Sequence, residues 1–119
     1  MADYQYLDLR KQEGVLVATL RDVNGLDSLQ LGQLTEELVR LVEEERPPRL
    51  VVGFQEVSLC TTTVVNGLLS MLRRIKAQGG QMRLCGMSDN VRASFQILNL
   101  DGSIFDIDES ELQALANFT

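Results

Sequence analysis

The sequence contains no histidine and no tryptophan, and it has only two cysteines and two prolines. Without histidine, the chain lacks the side chain most often used as a general base and as a zinc ligand. Two cysteines outside a C-x-x-C pair do not make a disulfide framework or a metal-ligand motif, so we expect Cys60 and Cys85 to be reduced and buried. No metal site is expected.

Long apolar runs and positive charge are also scarce. No segment approaches the roughly 20 apolar residues needed to span a bilayer, and the first residues, MADYQYLDLRKQ, are too polar for a signal peptide. A net charge of −6 argues against binding to duplex nucleic acid or to an anionic membrane surface. At 45% hydrophobic and 24% charged residues, the composition is that of a globular protein. The sequence predicts a cytoplasmic protein with one domain, residues 1–119, no membrane insertion and no nucleic-acid partner.

Motifs for catalysis and cofactor binding are missing from the chain. There is no Walker-type phosphate loop and no G-x-G-x-x-G motif. The acidic residues are scattered over helix faces, so no carboxylate pair is indicated, and no histidine is present to activate a cysteine nucleophile. We therefore expect a protein that is not an enzyme and binds no cofactor.

Alternating apolar positions predict a hairpin at the start of the chain. Residues 4–9 form its first strand, Glu13-Gly14 its turn and residues 15–20 its second strand. After the turn-rich loop VNGLD, Asp27 or Ser28 caps a helix that extends to about Glu45. Its apolar stripe consists of Leu31, Leu34, Leu38, Leu41 and Val42. Its acidic face is predicted to be solvated and consists of Glu36, Glu37, Glu43, Glu44 and Glu45.

A buried strand and a second amphipathic helix follow Pro47-Pro48, which ends the first helix. Residues 50–52 are apolar on both faces, as in an interior parallel strand. From Thr61 the apolar residues recur with the 3.6-residue period of a helix, and we expect this second helix to end at Gly79-Gly80. The apolar face consists of Val65, Leu68, Leu69, Leu72 and Ile75.

The remainder of the chain repeats the strand–helix pattern. QMRLCGM is a short strand, Ser88 caps a helix through about Leu98, and SIFDI is a last strand. Asp108 and Glu111 have capping-box spacing at the start of a terminal helix. The inward side chains of the helix after Ser88 are predicted to be Val91, Phe95 and Leu98.

Taken together, these elements predict an α/β fold. Its mixed, mostly parallel sheet has four to five strands, begins with an antiparallel hairpin and packs with about four helices.

Thr61, Thr62 and Thr63 stand at the start of the second helix. One threonine is enough for an N-cap, which contributes about 1 kcal/mol. A phosphate on a first-turn hydroxyl would face free backbone N–H groups and the positive end of the helix dipole, and it would add about −1.5 to −2 charges. The residues leave two interpretations open, a helix cap and a phosphorylation switch.

The same segment resembles the STAS family of sulfate-transporter and anti-sigma-factor-antagonist domains, and the resemblance covers nearly the whole chain. The family's central segment is V-S-[aromatic or aliphatic]-[apolar]-D-S-S-G-L, followed by a helix, a Gly-Gly turn and a strand. VSLCTTTVV and AQGGQMRLCG match that register. In this register Thr61 corresponds to the family's usual Asp and Thr62 to its regulated Ser. Thr63 corresponds to the next Ser, and Val64 to the usual Gly.

Two further segments carry the resemblance. GLD, ending at Asp27, is similar to the family's G-E-L-D stretch. VRASFQILNLDGSIF is similar to its V-x-x-x-F/L-x-x-x-G-L segment, with Asn99 where Gly is usual. Asn is the next-best residue for a left-handed helix terminus.

The resemblance implies an anti-sigma factor antagonist that is a monomer or a weak homodimer. Its implied partners are an anti-sigma factor with ATP-dependent Ser/Thr kinase activity and a Ser/Thr phosphatase. Phosphorylation is expected at Thr62, with Thr63 and Thr61 as the next choices. The implied partner-binding surface consists of Asp27, Ser28, Thr61, Thr62, Thr63 and Asn66.

A second interpretation is a STAS subunit of a larger assembly, such as a stressosome-like scaffold or a bacterial lipid transporter, that is never phosphorylated. Thr61 and Val64 in place of Asp and Gly favour this interpretation. The threonines would then form a cap and part of a docking face.

Overall fold

The computed structural model describes residues 4–100, 102 and 104–118. These ranges contain five strands and four helices. In chain order they are β1 (Leu7–Gln12), β2 (Val15–Leu20), α1 (Ser28–Glu45), β3 (Arg49–Gly53), α2 (Thr62–Ala77), β4 (Gln81–Cys85), α3 (Asp89–Ile97), β5 (Asp106–Asp108) and α4 (Glu111–Ala116).

The strands form one mixed sheet in the order β1-β2-β3-β4-β5. β1 and β2 pair antiparallel, and every later neighbour is parallel. The β1–β2 turn places Glu13 at φ 53° and Gly14 at φ 78°, and two positive φ values are what a tight hairpin turn needs to match the strand twist. The predicted fold class and hairpin are confirmed.

The larger core lies between the sheet and helices α1, α2 and α3. Side chains alternate along a strand, so Leu16, Ala18, Leu50, Val52 and Leu84 face these helices. The apolar stripes of α1 and α2 supply most of the opposite wall, with Leu31 and Leu69 only partly buried. Both helices therefore lie on the same face of the sheet.

The second face of the sheet is covered by α4. Val15, Val17, Val51 and Cys85 are buried there against Ala114. This two-sided burial explains why residues 50–52 are apolar on both faces, as expected of an interior parallel strand.

Glu37 corrects the prediction of a fully solvated acidic face on α1. Its side chain is buried and accepts hydrogen bonds from the backbone N–H groups of Gln5 (2.9 Å) and Tyr6 (3.0 Å). Gln5 and Tyr6 precede β1, so these N–H groups lie outside the strand ladder and need another acceptor. The first strand accordingly begins at Leu7 and not at Tyr4.

Predictions near the end of the chain also need correction. Leu98 is the C-cap of α3 and is 50% exposed, so it does not point inward with Val91 and Phe95. Ser110, not Asp108, caps α4, because the Ser110 side chain accepts from the Gln113 N–H while Asp108 belongs to β5. The last strand begins at Asp106, and Ser103 lies outside the described residues.

Within the described ranges, no helix has both the length and the apolar character required to cross a membrane.

Candidate functional site

The hydroxyl groups of the three threonines differ in what they contact. Thr61 is the N-cap of α2, with extended backbone, and its Oγ1 accepts a hydrogen bond from the Val64 N–H at 3.3 Å. Thr62 and Thr63 are the first two residues of the helix, and both are exposed. The first N–H groups of a helix have no intrahelical acceptor, so this end of α2 carries unpaired donors and partial positive charge.

Asp27 has the same structural position on α1 that Thr61 has on α2. Its carboxylate accepts from the Gln30 N–H at 2.8 Å, and the Gln30 side chain accepts from the Asp27 N–H at 3.0 Å. This reciprocal pair is a complete capping box. Asp27 is exposed, as is Ser28, the first residue of the helix.

The two helix starts are neighbours because α1 follows β2 and α2 follows β3. β2 and β3 are adjacent and parallel, so both helices begin at the carboxyl edge of the sheet. Loops at this edge of an open α/β sheet are where such folds usually bind their ligands.

Asn24 joins the two loops. Its side-chain NH₂ donates to the Glu56 carbonyl at 3.1 Å and to the Asp22 carboxylate at 2.8 Å, and its carbonyl oxygen accepts from the Ser58 N–H at 2.9 Å. The sequence indicated only an Asn-Gly turn at this place. A side-chain amide can both donate and accept hydrogen bonds, so it is suited to such a bridge. Its partners Glu56 and Ser58 are 32 and 34 residues away in the chain, and only the folded structure shows that they lie beside Asn24.

A cleft of about 280 Å³ lies between these two loops and the first turns of α1 and α2, and we call it the loop cleft. Its apolar walls are Val23, Leu26, Leu31, Leu59 and Val64. Asn24, Gly25, Ser58 and Thr61 complete the lining. No lysine or arginine belongs to it.

The residues that the sequence assigned to a partner surface surround this cleft without all lining it. Thr61 lines the cleft, and Asp27 follows the lining residue Leu26 in the chain. Thr62 and Thr63 lie between two lining residues, and Asn66 is exposed one turn further along α2. The apolar lining was missed from the sequence, because its side chains come from two loops and two helix starts that are distant in the chain.

Both thiols are in apolar surroundings. Burial raises the pKa of the Cys60 thiol, just before the cap, to about 11. Burial, with the Glu111 and Asp108 charges, raises the pKa of Cys85 to about 12. Both are free, as expected, although Cys60 is only partly buried. Near pH 7 they are protonated and poor nucleophiles.

Among the residues that the structure describes, no group of three or more histidine, cysteine, aspartate or glutamate side chains is arranged to hold a metal ion.

The chain belongs to the STAS domain family, whose model matches residues 6–114. The five-stranded mixed sheet and the four helices just described are those of a STAS domain.

Solved structures show the same fold at low sequence identity. An anti-sigma-factor antagonist (STAS) domain protein from Planctomyces limnophilus is 18% identical, with a TM-score of 0.79 over 92% of this chain and 95% of that one. The Bacillus cell fate determinant SpoIIAA in its phosphorylated form is 20% identical, with a TM-score of 0.65 over 92% and 96%. A chain of the stressosome, a signal integration and transduction hub, is 17% identical, with a TM-score of 0.70 over 92% and 93%.

Proposed function

We propose that this protein is an anti-sigma factor antagonist. In this proposal it works in the cytoplasm without catalysing a reaction, and it binds an anti-sigma factor that is also an ATP-dependent Ser/Thr kinase. The kinase phosphorylates Thr62, and a Ser/Thr phosphatase restores the hydroxyl. The observation that supports it best is the exposed Thr62 hydroxyl in the first turn of α2, beside a cap position that Thr61 already fills.

The phosphoryl transfer would act on an accessible group. Oγ1 of Thr62 forms a bond to the γ-phosphorus of ATP while the bond to ADP breaks, and the hydroxyl proton passes to a base of the kinase. The phosphate then faces the unpaired N–H groups of α2 and the positive end of its dipole, so the fold tolerates the modification.

Release of the partner follows from the cost of burying the new group. The phosphate and its hydration shell occupy space beside Thr61 and Thr63 against which a partner must pack. Burying about −1.5 to −2 charges in the interface without a positively charged partner has a desolvation cost larger than the free energy that the remaining contacts contribute. The unmodified form is the one that binds, and binding withdraws the anti-sigma factor from its sigma factor.

The departures from the family's D-S-S-G pattern are compatible with this proposal. Thr61 stands in place of Asp and retains an oxygen that caps the helix. Val64 stands in place of Gly, and its side chain is only 4% exposed, packed into the core below the cleft. Neither change covers the Thr62 side chain.

The test is phosphorylation of the purified chain with ATP in a soluble extract of its own organism, followed by intact mass and peptide mapping. Wild type and Thr63→Ala should each gain one phosphoryl group, and Thr62→Ala should gain none. Thr63→Ala is the matched control because both threonines are exposed in the same turn. Modification that persists in Thr62→Ala, or none in wild type, would contradict the proposed switch.

A second candidate is a phosphorylation-independent subunit of a larger assembly. It is favoured by the bulky Val64 where the family pattern has Gly, since a β-branched residue stiffens the segment next to Thr62. Under this reading the complex forms whether or not ATP is present. In that case Thr62→Ala leaves assembly unchanged. The first proposal predicts instead that binding of the partner by Thr62→Ala no longer responds to ATP.

A further inference from the structure

We infer that the loop cleft receives one large apolar side chain from a partner segment that also carries Arg or Lys. The inference deepens the proposed function, on which it rests, by assigning the chemistry of the partner surface beside Thr62.

The size and walls of the cleft limit what it can hold. At about 280 Å³ it lies at the lower end of the sizes of small-molecule pockets, which measure about 300 to 1,000 Å³. Five of its nine lining residues are apolar, and none is charged. One aliphatic or aromatic side chain matches this volume and this lining better than a cofactor or an anion does.

Leu59 makes the cleft a docking site and not only a surface depression. Its side chain belongs to the cleft wall yet is 69% exposed. Single exposed leucines are common on protein surfaces, but an exposed leucine continuous with an apolar cleft marks a contact region. Covering Leu59 would remove its apolar surface from water, which favours binding.

The cleft is also held in shape before any partner arrives. Asn24 ties its two loops together, and the capping contacts of Asp27 and Thr61 fix the two helix starts that frame it. A preformed pocket lowers the ordering cost of binding, which is a property of interface hot spots.

Charge selects a basic partner segment. The two loops carry the exposed acidic residues Asp22, Asp27 and Glu56. Asp22 and Asp27 are adjacent in the chain to cleft residues, and the backbone carbonyl of Glu56 accepts a hydrogen bond from the cleft residue Asn24. The whole chain carries a net charge of −6. Arg or Lys beside the inserted apolar side chain would meet a complementary rim, whereas an acidic segment would be repelled.

The experiment uses a random 12-residue peptide library displayed on phage and selected on the unmodified full chain. Selected peptides are then synthesised, and their Kd values are measured by fluorescence polarisation on wild type, Leu59→Ser and Leu112→Ser. Leu112 is the matched control because it is 78% exposed and lies on α4, on the opposite face of the sheet. Both changes are at exposed positions, and circular dichroism checks that both variants fold.

We expect the selected peptides to share a Leu, Ile, Met or Phe close to Arg or Lys. Their Kd should rise at least about tenfold on Leu59→Ser and stay unchanged on Leu112→Ser, as expected for loss of a central apolar contact. Glu56→Gln should cause a smaller loss, about threefold, that disappears at high salt.

The peptide selection would overturn the inference in three ways: no selected peptide depends on Leu59, the selected peptides are acidic, or their apolar residue can be replaced by Ala without loss of binding. Dimerisation of the chain that Leu59→Ser abolishes, measured by sedimentation, would overturn it as well, since a second copy would then cover the cleft. No kinase enters the assay. Failure of the Thr62 switch and failure of the cleft assignment are therefore observed separately.

Discussion

Thr61, Thr62 and Thr63 carry the same hydroxyl group at three consecutive positions, and the backbone gives them different roles. Thr61 has extended backbone, so its side chain can fold back onto the Val64 N–H. Thr62 and Thr63 already have helical backbone, and their side chains are left exposed. At the scale of single residues, the cap and the candidate phosphorylation site are therefore neighbours and not the same residue.

Replacing Thr61 by Ala should lower the free energy of unfolding by about 1 kcal/mol, because the Val64 N–H loses its acceptor. Thr62→Ala, at an exposed position without that contact, should change it by less than about 0.5 kcal/mol. Urea denaturation followed by circular dichroism measures both.

Thr61→Asp offers a further check, since Asp is also a good N-cap and lies at the positive end of the dipole. It should be at least as stable as wild type. An Asp variant less stable than Thr61→Ala would show that capping is not the role of this residue.

At the scale of secondary-structure elements, α4 is short and depends on polar contacts for its position. It spans Glu111–Ala116 and covers the second face of the sheet through Ala114. Just after it, Asn117 donates to the Asp108 carboxylate at 2.7 Å, and Arg83 of β4 donates to the same carboxylate at 2.7 and 3.3 Å. Asp108 thus connects β4, β5 and the end of α4.

Asp108→Asn should lower the free energy of unfolding at pH 7 by about 2 kcal/mol, because hydrogen bonds to a buried charge are lost. Burial by itself would raise the pKa of this carboxyl, but the bonds from Arg83 and Asn117 outweigh it and the net pKa is lowered. A lowered folded-state pKa means that the stabilisation is present above the unfolded value of about 3.9 and is lost as the pH falls through the folded value.

Urea titrations from pH 7 to pH 2 test this prediction. The difference between wild type and Asp108→Asn should shrink below about pH 4. Asp106→Asn is the matched control, because Asp106 is 61% exposed and 3.7 Å from the same arginine, and its effect should stay below about 1 kcal/mol. Equal effects of the two changes would contradict a special role for the buried carboxylate.

The sequence predicted the helices and strands well where the apolar periodicity and the capping residues indicate the same boundaries. It predicted them less well where side chains contact residues distant in the chain. Asp27, Ser88 and Gly79-Gly80 were placed correctly as helix ends, because capping is local. Asp108 was misplaced in a capping box because its partner Arg83 is 25 residues away. Glu37 was misplaced for the same reason, since its partners Gln5 and Tyr6 are more than 30 residues away.

At the scale of the whole molecule, Cys85 is a probe of global stability. It is 0% exposed, between the sheet and α4, and its pKa of about 12 keeps the thiol protonated. In a Cys60→Ser background, labelling by a disulfide reagent at pH 8 should proceed only through unfolding. Its rate should rise about fivefold when Thr61→Ala is added, as a 1 kcal/mol loss of stability requires. Fast labelling at a rate that Thr61→Ala does not change would instead show that Cys85 is exposed by local opening of α4.

Only part of the candidate site could be predicted from the sequence. The threonine motif and the GLD segment could be found from the sequence, because they are short and keep their register with the family. The apolar loop cleft beside them could not, because its lining residues Val23, Leu26, Leu59 and Val64 come from segments that are distant in the chain. Only the position of the two loops shows that their side chains border an open cleft.

The sequence by itself determined the order of strands and helices, the hairpin, most of the helix caps and the family, since these depend on periodicity, on hydrogen bonds within a few residues and on a continuous motif. The tertiary structure decided which groups from distant segments meet. It brings Asn24 to Ser58, Glu37 to Tyr6 and Asp108 to Arg83, and it places the start of α2 beside the loop before α1. Side-chain hydrogen bonds and clefts form between surfaces that come together only when the parallel strands pair, so a local pattern does not encode them.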